Sequence, residues 1–182
     1  MNTSDCILLA VLLAFSAYFS ASETALSTVN KIRLKSYADN GSKKAKLALD
    51  IAENYDRTLS TILVGNNVVN TASAALMTTV TTALFGASGA VIATAVTTVL
   101  VLIFGEILPK TYGKENSEKL ALTIAGPMHF LIVLLTPVVS IFQLLQRAMV
   151  RLCSKGDKSP SVTEEELKYI LDTIEEEGVM QE

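Results

Sequence analysis

The sequence predicts an all-α membrane protein: three transmembrane helices, a Pro-broken juxtamembrane helical region and a cytoplasmic acidic helix. Three observations predict it. The 182 residues are 50% hydrophobic and 18% charged, with mean hydropathy +0.42, too apolar for an ordinary soluble domain. No Asp, Glu, Lys or Arg occurs from Thr58 to Gly105, nor from Leu120 to Gln146, and both runs exceed the roughly 20 residues that cross a bilayer. Charge is also segregated: residues 31–57 carry seven basic and four acidic side chains, residues 155–182 nine acidic and three basic. A soluble enzyme, a disulfide scaffold and a disordered chain are excluded. Cys6 and Cys153 stand at opposite ends of the chain and have no metal-site spacing. No basic face suits nucleic acid.

The first span covers about 6–29. It lacks the basic start of a signal peptide, since Asp5 is the only charge before Glu23, and is read as retained. The second covers about 59–84. The uncharged Phe85–Gly89 segment, FGASG, is a tight turn. The third covers about 90–108 and runs into Pro109-Lys110. The basic 31–57 loop belongs in the cytoplasm by the positive-inside rule, which puts the N-terminus outside. That loop reads as helical, interrupted at Asn40-Gly41.

The apolar stretch within 120–150 poses a parity problem. Lys119 precedes it and Arg147 and Arg151 follow, so both ends carry the cytoplasmic signal. Pro127 and Pro137 each remove a helix donor. A re-entrant hairpin or helices along the inner interface satisfy both facts, and a plain fourth span is the alternative. The C-terminal segment begins after Ser159-Pro160, with Ser161 and Glu164 at capping-box spacing. Leu167, Ile170, Leu171 and Ile174 then make one apolar stripe on an acidic helix. With no partner left in the chain for that stripe, the sequence is expected to be cut short.

Three motifs place costly polar groups in the hydrocarbon: Ser20-Ala21-Ser22-Glu23-Thr24, Gly65-Asn66-Asn67-Val68-Val69-Asn70 and Gly105-Glu106-Ile107-Leu108-Pro109-Lys110. By the topology above they meet at a similar depth. Asn66 and Asn70, four apart, share one helix face. Pro109 cannot bond the Gly105 carbonyl, so a helix break is expected there. Serine hydroxyls, amide oxygens, a free carbonyl and one carboxylate form an all-oxygen set suited to a hard cation such as Mg²⁺, Ca²⁺ or Na⁺. No thiolate or imidazole cluster suits zinc or copper. Simpler roles stand beside this one. Ser and Asn also fasten helices together, Glu106 can pair with Lys110, and Glu23 can pair with the basic loop at the membrane edge.

The runs FSASETAL, LVGNNVVN and FGEILPKTYG, in this order in one apolar chain, closely resemble the CNNM/CorC family, whose transmembrane module is called the DUF21 domain. The resemblance covers nearly the whole chain. It implies a transmembrane domain over 1–154 and the start of an acidic helical bundle over 155–182. It implies a homodimer in the cell membrane that exports Mg²⁺ in exchange for Na⁺. Matched by motif, the family's ion ligands fall on Ser20, Asn66, Asn70, Gly105 and Glu106, with Ser22 a further candidate. The family carries a pair of CBS domains after the bundle, and these are missing here. Two other classes stay open: a passive divalent-cation channel, marked by flux without coupling, and a non-transporting Mg²⁺-sensing scaffold, marked by binding without flux. Enzyme chemistry has no support, for there is no nucleophile–base pair, phosphate loop or cofactor motif.

Overall fold

The computed structural model describes residues 3–153, and these are helical almost throughout. Met1–Ile141 form one compact unit and Phe142–Glu182 a second. Of the second, only the continuation of the last helix lies among the described residues. The acidic helix expected after Ser161 lies outside them.

Helix α1 spans Thr3–Thr28. Two short helices follow, α2 (Lys31–Asp39) and α3 (Lys43–Glu53). Their starts are fixed by side-chain caps: Asn30 accepts from the Arg33 amide at 3.1 Å, and Ser42 from the Ala45 amide at 3.3 Å. The interruption falls at Asn40-Gly41, as its residue types predict. Helix α4 (Tyr55–Phe85) runs back along α1, and a 3₁₀ turn, Gly86–Ser88, reverses the chain. Helix α5 (Gly89–Leu100) leads into a π-helical segment, Val101–Ile107, and then α6 (Leu108–Glu115). Helix α7 spans Ser117–Cys153.

The bundle therefore has two ends. At one, α1 ends, α4 begins and α2 and α3 pack. At the other lies the α4–α5 hairpin. The large apolar core sits at the α2–α3 end, where Phe19 and Leu26 of α1, Leu34 of α2, Ile51 of α3, Ile62 of α4 and Met128 of α7 are buried in one cluster. Helix α6 approaches α1 closely, because a Cβ on Gly113 would lie 2.6 Å from the Ala21 carbonyl oxygen. Beside it Lys110 pairs with Glu23 at 3.4 Å.

Two expectations change. Four helices, not three, are long and apolar enough to cross a membrane by length and composition: Thr3–Thr28, Tyr55–Phe85, Gly89–Glu115 and Ser117–Phe142. The region expected to be broken at Pro127 and Pro137 is instead one continuous helix containing both. Packing outweighs the local cost of each proline, about 3 kcal/mol. Ala121, Ile124, Ala125, Met128 and Ile132 form one buried stripe against the core. Both ends of this stretch are tied to the α2–α3 end: Glu118 to Arg33 at 2.8 Å, and Thr136 to Arg57 at 2.8 Å. Between those ties lie about 27 Å of helix at 1.5 Å per residue. A helix set straight across beside α1 would carry Thr136 far from Arg57, so α7 runs oblique to the bundle over this stretch.

Candidate cation site

The third expectation that changes is the break at Gly105. The helix is not interrupted there. It widens into the π segment, whose closing amide, Leu108 N–H, bonds the Ile103 carbonyl five residues back. A π turn inserts one extra residue, and such turns concentrate at functional sites. Here it lies just ahead of Pro109, whose ring would crowd the carbonyl four residues earlier. Gly105 then meets α1, where a Cβ would come within 2.7 Å of Ser16 Oγ. A Cβ there would make Ser16 shift.

Ser16 is the centre of the arrangement, and the sequence motifs did not include it. Its hydroxyl lies 2.8 Å from Asn70 Oδ1 and 3.1 Å from Asn66 Oδ1. Asn66 and Asn70 share one face of α4, as their spacing predicts. The structure thus brings Ser16, Asn66, Asn70 and Gly105 together. Ser20 lies one turn along the same face of α1, fully buried, and its hydroxyl has no hydrogen-bond partner among the described residues. The signal that could have found Ser16 is that four-residue step, which repeats the step from Asn66 to Asn70.

Ser22 is not brought to this group. It is buried too, but it stands two residues from Ser20, on another face, and its hydroxyl donates to the Tyr18 carbonyl at 2.6 Å. Glu106 lies beside Gly105 and lines a cleft of about 310 Å³ together with Asn70. Lys110, the partner considered for Glu106, is held by Glu23 instead. Among the described residues Glu106 makes no ion pair. Asn70 therefore joins two compartments, the buried Ser16 group and the open cleft that holds the carboxylate.

Both amide oxygens lie within 3.1 Å of Ser16 Oγ, and its single proton serves one of them at a time. Each asparagine also carries an amide NH2, and turning one amide over lets it donate to Ser16 Oγ. Three polar side chains so placed can fasten the two helices together or turn their oxygens onto a hard cation.

Comparison with known proteins agrees with a membrane module. Residues 7–182 match the cyclin M transmembrane N-terminal domain. The chain is 39% identical over 163 residues to the inner membrane protein YfjD of Escherichia coli, covering 86% of this chain and 37% of that protein. It is 35% identical over 177 residues to a chloroplastic DUF21 domain-containing protein of Arabidopsis thaliana, covering 97% of this chain and 27% of that one. A UPF0053 protein of Haemophilus influenzae is 35% identical over 167 residues, 91% of this chain and 40% of the relative. The chain thus spans less than half the length of each of these relatives.

Proposed function

The chain belongs to the cyclin M transmembrane N-terminal domain family, and from that premise we propose that it is a multi-pass membrane transporter of Mg²⁺. The ion, stripped of most of its water, would sit on oxygens of Ser16, Ser20, Asn66, Asn70, Gly105 and Glu106. The observation that carries this reading is the meeting of Ser16 Oγ with the amide oxygens of Asn66 and Asn70, the second of which shares a cleft with Glu106, a carboxylate that has no ion-pair partner among the described residues. Mg²⁺ gives up water reluctantly, so a replacement shell must already be in place. The close approach of α1 to the π segment at Gly105 provides such a preset shell. Glu106 supplies the full negative charge.

In this proposal the α2–α3 end faces the cytoplasm, supported by the basic residues between Lys31 and Arg57. Export coupled to Na⁺, assembly as a homodimer in the cell membrane, and CBS-pair domains in the full-length protein complete it. These draw their support from the family resemblance.

The test is the melting temperature of the purified chain with Mg²⁺, Ca²⁺, Mn²⁺ or Na⁺, and Mg²⁺ flux after reconstitution into liposomes. A ligand that binds only the folded state raises stability with its concentration. Mg²⁺ should raise the melting temperature of the parent and not of Glu106→Gln, and flux should be lost in the same variant. Equal Mg²⁺ response and equal flux in parent and variant would sink the assignment.

A further inference from the structure

The polar group around Ser16 and the apolar core of the α2–α3 end meet at one residue, Phe19. On α1, Ser16, Phe19, Ser20 and Glu23 share a face, at steps of three, four and seven residues from Ser16. About 10 Å of helix separates Ser16 from Glu23. Glu23 stands at the α2–α3 end of this stripe, its side chain 27% exposed and paired with Lys110. Ser20 is fully buried and its hydroxyl has no partner among the described residues, so it does not fasten α1 to a neighbour. Three members of the stripe are polar, and Phe19 interrupts them.

Phe19 is 3% exposed and packs into the apolar cluster with Leu26 and Ile62. Its ring stands on the backbone of α4 at Gly65. A Cβ at that position would overlap the ring at Cζ and lie 2.6 Å from Cε1. Gly65 is therefore a notch that seats the ring, directly before Asn66. The order along α4 is Ile62, Gly65, Asn66, Asn70, and along α1 it is Leu26, Phe19, Ser16. On both helices the seated ring lies between the core and the oxygens. An apolar constriction of this kind stops a hydrated ion, because water does not occupy it.

Resting on the reading of Ser16, Asn66 and Asn70 as cation ligands, we propose that Phe19 is the barrier that closes them off from the α2–α3 end. The ion passes when the ring leaves Gly65, and Glu23 and Ser20 offer it oxygens on the near side of the barrier. The seat explains the glycine: the ring closes the gap only by touching the α4 backbone, and a side chain at position 65 would hold the barrier ajar. Phe19 is an access residue rather than a ligand. It sets which end of the bundle reaches the oxygens.

The test is the rate at which a small cationic thiosulfonate labels Ser16→Cys in the purified chain, in a Cys6→Ser, Cys153→Ser background. Asn66→Cys is the second reporter in case the first does not fold. Only a thiolate reacts, which requires water at the sulfur. Phe19→Ala should speed labelling roughly tenfold or more over the same reporter with Phe19 in place. Phe19→Leu, apolar but without a ring to reach Gly65, replaces it if the alanine variant does not fold. Leu26→Ala is the control: it opens a hole in the same cluster at comparable cost in stability and leaves the ring seated. Its labelling should stay well below that of Phe19→Ala. Equal rates with and without the ring, or equal acceleration by Leu26→Ala, would make Phe19 core packing only and overturn the barrier. The Mg²⁺ melting shift of the unaltered chain is read separately. Its absence alongside ring-dependent labelling would remove the Mg²⁺ site and leave the barrier standing.

Discussion

Two regions of the bundle are packed from different materials. At the α2–α3 end the buried residues are large and apolar: Leu26, Leu34, Ile51, Ile62 and Met128 are each no more than 2% exposed. Farther along the bundle, where α1 crosses α4 and the π segment, the buried residues besides Phe19 are small: Ser16, Ser20, Gly65, Ser73 and Gly105. The first is packed like the core of a soluble protein, and where water reaches the unfolded chain apolar burial drives such assembly. In hydrocarbon that drive is absent, and helices approach through small residues and hydrogen bonds. Small polar packing is common there, but a hydroxyl without a partner at Ser20 is not what packing alone selects. The difference assigns work to each region: the base holds the helices in register, and the middle holds oxygens facing one another.

The largest effect should come from breaking the base. Leu26→Ala removes a side chain that is 1% exposed, and such a deletion costs about 2–5 kcal/mol. Thermal or chemical unfolding of the purified variant measures it. If the base is only scaffold, the folded variant keeps the parent's Mg²⁺ response. A normal stability with a lost response would reverse the assignment.

A middle-region change should do the opposite. Ser16→Ala deletes the hydroxyl that Asn66 and Asn70 face, and a hydrogen bond of this kind contributes about 0.5–1.5 kcal/mol net. Stability in the absence of metal should move no further than that. Mg²⁺ affinity, followed by titration of the melting temperature, should fall about tenfold, the equivalent of about 1.4 kcal/mol. An unaltered Mg²⁺ response would return Ser16 to the role of a helix fastener.

The same division explains what the sequence could tell. Uncharged runs, the basic loop, the Asn40-Gly41 interruption and the turn after Phe85 depend on local composition, and each was legible. Asn66 and Asn70 were legible because their spacing fixes a shared face. Ser16 was legible only in part: its four-residue step to Ser20 marks a shared face, but the approach of Gly105 across the bundle is encoded by no local pattern. The π segment stands where the sequence predicts a break. Pro109 announces a disturbance, but whether the helix stops or widens depends on what packs on both sides. The two prolines of α7 misled in the same way: the stripe from Ala121 to Ile132 finds a core to cover, and the helix stays whole.

The smallest effect should come from the tie between α7 and α2. Arg33 and Glu118 meet at 2.8 Å, with their side chains 65% and 30% exposed. An exposed pair of this kind is worth about 0–1 kcal/mol and is weakened by salt. Arg33→Ala should therefore lower the melting temperature slightly at low ionic strength and hardly at all at high. The apolar stripe of α7, rather than this ion pair, holds the oblique helix against the base. A large, salt-independent loss of stability would make the pair the anchor of α7. The base would then depend on a charge contact at its rim as well as on its apolar core, and its contrast with the middle region would narrow.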